Sequence, residues 1–266
     1  EYRRKSISVG IIAVDPTSPF SGGAILGDRV RMQDVSGDPG IFIRSMASRG
    51  SLGGLARATA DAIQVLDAAG FTFILVETLG AGQAEVDIGS TAHTTIVLQV
   101  PGMGDDIQTL KAGILEIADI IVVNKADYEG ADYVVTTLQT MLELSVSYQL
   151  SAFSPHPNPL PAGEGRVRES DWRPPILKTV ATRDEGIASL AEAIAQHVAY
   201  LHESGLWQQR ERKRAMTMLL RLAQEALLQR FAAQVSTAAL ETAVEQVVAR
   251  ETDPYTALAQ LVENVR

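Results

Sequence analysis

Five short runs of apolar, mostly β-branched residues constrain this chain more than any other feature. They fall at 8–14, 71–76, 94–100, 120–123 and 176–180. Each is apolar on both faces, as strands covered by helices on two sides must be. Between them lie helical patterns at 53–69, 105–118, 131–146 and 186–203. The first carries Leu55, Ala58, Ala62, Val65, Leu66 and Ala69 at helical spacing and ends at Gly70, a suitable C-cap. Strands alternating with helices predict an α/β fold, a mostly parallel sheet with helices on both faces. Neither helix nor turn is expected before the first strand.

The chain has 266 residues, 46% hydrophobic and 21% charged, enough apolar material to bury a core and exclude disorder of the whole chain. Its 23 basic and 32 acidic residues leave a net charge of −9, a poor match to a nucleic-acid backbone, so no nucleic-acid partner is expected. The absence of cysteine excludes disulfides, thiolate metal sites and cysteine nucleophiles. No apolar run approaches the ~18–20 residues of a membrane span, and no signal-peptide pattern precedes the first strand. The expectation is a cytoplasmic protein with no membrane partner.

Two regions break the alternation. Over about 151–173, Pro155, Pro157, Pro159 and Pro161 alternate with other residues and Gly163 and Gly165 follow. Such a segment neither pairs in a sheet nor sits in a helix, and reads as an exposed loop inserted in the domain. A proline ligand for a partner's groove is the sharper alternative. After about residue 205 the strands stop. Met218, Leu219, Leu222, Ala226 and Leu227 share one helical face, and Leu240, Val244, Val247 and Val248 another. Thr252-Asp253-Pro254 opens a further helix with Ala257, Leu258, Leu261, Val262 and Val265. The predicted organisation is an α/β domain over 1–204 and a helical arm over 205–266. The arm's apolar stripes need cover, from the α/β domain or from a second copy of the chain.

The chemistry-bearing motifs sit at strand ends. Asn124-Lys125-Ala126-Asp127 directly follows the run 120–123, an NKxD arrangement. An Asp carboxylate there accepts from guanine N1–H and the 2-amino group, a donor pair adenine lacks. The plainer reading is a polar turn closing a strand. Glu77-Thr78-Leu79-Gly80 follows 71–76 in a Walker-B-like pattern, with the carboxylate able to hold Mg²⁺ and the Gly80 amide able to meet a phosphate. Asp15 ends the first run, at the edge where ligands bind in open α/β sheets. Taken singly, Asp15 and Glu77 read more readily as loop caps. Together with the NKxD turn they favour one nucleotide crevice. The segment 22–32 adds Asp28 and Arg31 on a glycine-containing backbone, either a catalytic and phosphate-neutralising pair or a solvated charge cluster. A phosphate loop of the form GxxxxGK[ST] is not among these residues, since none of Lys5, Lys111, Lys125, Lys178 and Lys213 follows a glycine.

The segments 13–18, 21–32, 43–45, 50–54, 76–85, 101–108 and 123–127, read together, resemble the MeaB/ArgK family of P-loop GTPases. The resemblance covers nearly the whole chain except 151–173. It implies a P-loop GTPase fold shown here without its first strand and phosphate loop, and so an N-terminal truncation. It implies GTP/GDP and Mg²⁺ as cofactors, and a GTPase chaperone that assists and protects an adenosylcobalamin-dependent mutase of the methylmalonyl-CoA mutase type. By position, Asp15, Asp28 and Glu77 correspond to magnesium-linked or catalytic acids and Arg31 to a mobile switch. Lys111 falls in a further switch facing the mutase. Asn124, Lys125 and Asp127 correspond to the guanine-reading set, Ala181 and Thr182 to the last base-contacting loop, and the C-terminal helices to a homodimerisation arm. Two other readings stand beside this one: a shortened, non-hydrolysing homologue acting as a mutase-binding or dimerisation module, and a fragment without independent function.

Overall fold

A computed structural model of the chain describes residues 1–15, 32, 35, 37–47, 57–78, 91–102, 115, 117–151 and 172–263. It divides into two compact units, Glu1–Gln208 and Gln209–Arg266.

The first unit holds six strands in two parallel three-stranded sheets. β1 (Val9–Asp15) lies between β2 (Ile41–Ala47) and β3 (Phe73–Thr78), and β5 (Ile120–Asn124) lies between β4 (Ile96–Gln99) and β6 (Ile176–Thr179). All four pairings are parallel. Parallel neighbours require crossover connections, and described helices lie in two of them, between β2 and β3 and between β5 and β6. α1 (Arg57–Ala68) packs Ile63 and Leu66 on Ile12 and Val14 of β1. α2 (Ala131–Ser151) packs Val134 and Leu138 on Ile121 and Val123 of β5. α3 (Ile187–Glu203) packs Ala193 and Ile194 on Ile120 and Val122, the opposite face of the same strand. Residues 120–123 are accordingly no more than 1% exposed. Phe73 and Ile96 join that last cluster, so the first residues of β3, β4 and β5 pack together and both sheets start from one edge.

The five expected strands are all present. β2 is an addition. Phe42 and Arg44 are exposed while Ile41, Ile43 and Ser45 are half-buried, so this run alternates and lacks the apolar continuity of the others. The N-terminus corrects an expectation. A short 3₁₀ turn, Arg3–Lys5, precedes β1. Its cause is distant in sequence: Arg3 donates from Nε and Nη2 to the two Asp38 carboxylate oxygens, each at 2.9 Å, and from Nη1 to the carbonyl of Ile7. That guanidinium, with the Gly40 amide, holds the Asp38 carboxyl below the usual carboxylate range. The helix expected over 105–118 and the proline-rich run 154–165 lie outside the described residues.

Where the strands begin, a buried polar group ties the layers together. Asp119 accepts from the Thr95 amide at 2.8 Å, and its carbonyl accepts from Trp172 Nε1 at 2.8 Å. His197 on α3 is fully buried, with Nδ1 2.9 Å from Thr94 Oγ1. Its Nε2 lies 3.1 Å from Asp119 Oδ1, off the line of a good hydrogen bond.

The second unit comprises the rest of α4 (Leu206–Gln234), with α5 (Thr237–Val248) and α6 (Pro254–Glu263). Ser236 caps α5 by accepting from the Ala239 amide, and Asp253 accepts from the Tyr255 and Thr256 amides ahead of α6. The expected apolar stripes form, and the helices of this unit leave much of them uncovered. Leu219, Leu227, Val244, Val248 and Leu258 are all more than half exposed, and Leu222 and Leu261 are half-buried. No helix among the described residues is long and apolar enough to cross a membrane.

Between β6 and α3 the chain reverses through Gly186, whose φ is +76° and whose missing Cβ would stand 2.2 Å from the Lys178 carbonyl oxygen. Backbone cannot move aside as a flexible side chain can. Gly186→Ala is expected to cost about 2–4 kcal/mol, read as a lower urea midpoint with an unchanged slope. A midpoint within error of the parent would refute the tight approach.

Candidate functional site

The carboxyl ends of β5 and β6 form a compact polar site. After β5, Asn124 leads into a tight turn in which Lys125 takes a left-handed conformation, φ +56°. The Tyr128 amide donates to the Lys125 carbonyl at 3.0 Å and closes the turn. The Ala126 amide donates to the Thr179 carbonyl at 3.0 Å and fixes the turn to β6. A non-glycine residue held there by surrounding hydrogen bonds is the kind of strain that collects at functional sites.

The second half is the loop after β6. The Val180 amide donates to the Glu185 carbonyl at 3.0 Å, drawing residues 181–184 into a closed bend. Within it Ala181–Arg183 form a 3₁₀ turn and Asp184 is left-handed. Asn124 joins the two halves: its Oδ1 accepts from Thr179 Oγ1 at 3.1 Å and from the Ala181 amide at 3.2 Å. Asp127 pairs with Arg183 across the site, Oδ2 to Nη2 at 2.9 Å, with the carboxylate side chain 24% exposed and the guanidinium 58%. A cavity of about 250 Å³ opens here, lined by Ala126, Asp127, Lys178, Thr179, Val180 and Glu185. Lys178 bonds Asp132 at the start of α2, and Lys125 Nζ stands 5.9 Å from the centre of the Tyr128 ring.

Of the residues singled out from sequence, the fold therefore gathers Asn124, Lys125, Asp127, Ala181 and Thr182 on two adjoining loops. Asp15 and Glu77 end neighbouring strands: Glu77 is registered with Ala13, two residues before Asp15. The Glu77 side chain is exposed. Asp28, Arg31, Gly80 and Lys111 lie outside the described residues. Among the described residues no three His, Asp or Glu side chains converge as a metal-binding group. Magnesium does not demand such a group, because one or two carboxylates with substrate phosphates suffice. An exposed carboxylate at the end of β3, beside the end of β1, suits that role.

Sequence reasoning did not reach Arg183, Lys178 or Glu185. The one local signal for them was the polar run Thr182-Arg183-Asp184-Glu185 closing on Gly186. What Arg183 pairs with, 56 positions back in the chain, leaves no local pattern.

The sequence profile of the family described as methylmalonyl-CoA mutase-associated GTPase MeaB matches residues 1–236. A Pyrococcus abyssi protein named as a GTPase is 46% identical over 265 residues, all of this chain and 76% of its own length. The GTPase ArgK of Escherichia coli is 33% identical over 225 residues, 85% of this chain and 63% of its own. A crystal structure of an LAO/AO transport system kinase superposes with a TM-score of 0.60 at 25% identity, covering 98% of this chain and 73% of that one. That structure shares the α/β architecture with helices on both faces of parallel strands. On the matched profile and these relatives, the chain belongs to the MeaB/ArgK family of GTPases.

Proposed function

We propose that the site between the β5 and β6 loops reads guanine, and that this chain is a GTP-binding GTPase chaperone that assists the assembly and protection of an adenosylcobalamin-dependent mutase of the methylmalonyl-CoA mutase type. One observation carries the reading most directly. Asp127 lines a cavity on two loops that Asn124 locks together. A carboxylate so placed can accept from two parallel N–H donors on the guanine edge, while Asn124, held through Oδ1, keeps its amide N–H₂ to donate. Lys125 supplies an aliphatic stem for the face of a base, and Ala181 and Thr182 border the site from β6. In this reading Glu77 and Asp15 hold Mg²⁺ with the nucleotide phosphates, and the ion contributes charge neutralisation at those phosphates. By the family resemblance, Asp28, Arg31 and Gly80 would act at the nucleotide phosphates and Lys111 in the switch that meets the mutase.

Base choice tests the site. Asp127→Asn replaces two acceptors by one acceptor and one donor group, which suits xanthine rather than guanine. GTP binding should weaken by about 2–4 kcal/mol, the scale of an unsatisfied buried polar partner, while xanthosine triphosphate binding improves. Unchanged GTP affinity in calorimetry would remove the guanine assignment.

The partner follows from the family, whose description names association with methylmalonyl-CoA mutase. Mixed with such a mutase, the chain should co-elute with it on gel filtration, and more completely with a non-hydrolysable GTP analogue than with GDP. Separate elution under both conditions would argue against the mutase as partner.

The helices of the second unit supply the homodimer of this reading. Their exposed leucines and valines amount to an apolar surface that soluble monomers rarely leave open. A two-fold pairing would use the same helical surface on both copies. Leu222→Glu introduces an unpaired carboxylate into that seam and should halve the mass measured by light scattering at micromolar concentrations. A parent chain that already runs at the single-chain mass would rule the dimer out.

A further inference from the structure

We propose that Arg183 is a positioning residue for the base-reading carboxylate: it touches Asp127 from outside the cavity and fixes the direction in which the carboxylate faces the base. The inference rests on the guanine reading above. Asp127 lines the cavity and Arg183 does not, although the two side chains meet at 2.9 Å. The guanidinium takes one acceptor position on Oδ2. A carboxylate offers about four lone-pair sites, so this contact leaves acceptors for a ligand.

The alternative is a gate, with Arg183 plugging the carboxylate until a nucleotide displaces it. A gate has to swing, and this loop is pinned. The Ala181 amide donates to Asn124, the Val180 and Glu185 backbones bond each other, and Asp184 pairs with Arg4 of the N-terminal 3₁₀ turn at 2.5 Å. The Arg183 amide donates to the Val180 carbonyl at 2.9 Å. Arg183 thus extends from a fixed base, which suits a residue that orients its neighbour. Its contact to Asp127 runs through one nitrogen, so a lysine of similar reach can replace it, unlike a bidentate arginine.

The test measures the preference for GDP over ADP by calorimetry on the full chain, for the parent, Arg183→Ala, Arg183→Lys and Asp127→Ala. Arg183→Ala should lower the preference about two- to fivefold, the range of a half-exposed charge pair, with the thermal midpoint unchanged. Arg183→Lys should restore most of that loss, which a residue that merely supported the loop would not show. Asp127→Ala should abolish the preference. A preference lost in Asp127→Ala but untouched in Arg183→Ala overturns the positioning role and leaves guanine reading standing. A tighter GDP complex in Arg183→Ala overturns it in favour of the gate. Equal binding of GDP and ADP by the parent overturns guanine reading and this inference together.

Discussion

A single strand, dry on both sides, governs the rest of the first unit. Ile120 and Val122 face α3, Ile121 and Val123 face α2, and none keeps measurable contact with water beyond 1%. Burying four β-branched side chains yields roughly 1.5–3 kcal/mol each, and it fixes the strand's register, since a slip along the strand would carry the polar Asn124 into the dry layer. A strand fixed in this way must stop where polar residues begin. Asn124 is that point, and its placement against Thr179 and Ala181 follows from the register of β5 on β6, where Asn124 is paired with Thr179. The site is an extension of the core's order beyond the last apolar residue.

That dependence explains what could be read from the sequence. β5 and its NKxD turn were legible because both the burial and the chemistry are written locally, in consecutive residues. β1, β3, β4 and β6 were legible from their consecutive apolar residues, with ends displaced by up to two residues. β2 was not, because Phe42 and Arg44 face solvent and its pattern is that of a half-covered strand. The turn at Arg3–Lys5 was missed because its stabilising partner, Asp38, lies 35 positions away. Arg183 was missed on the same ground. Contacts between loops at the ends of neighbouring strands depend on register, and register is a property of the assembled sheet.

The second unit presents a different balance. Its caps and spacing declare helices plainly, and Ser236 and Asp253 start two of them as expected of such residues. What local pattern leaves open is the covering of their apolar faces, because the side chains that would cover them need not follow nearby in sequence. Leu227 and Val248 remain exposed in the single chain.

Asn124 carries one more consequence. Because a single oxygen accepts from both Thr179 and Ala181, moving the loop after β6 away from the turn after β5 breaks both hydrogen bonds at once. The conformational entropy of arranging the site is therefore surrendered when the sheet folds, before any ligand arrives. A ligand entering between these loops meets a surface already ordered, and its affinity reflects complementarity with little deduction for rearrangement. The same economy limits adaptability: a ligand of slightly different width cannot be accommodated by moving one loop alone.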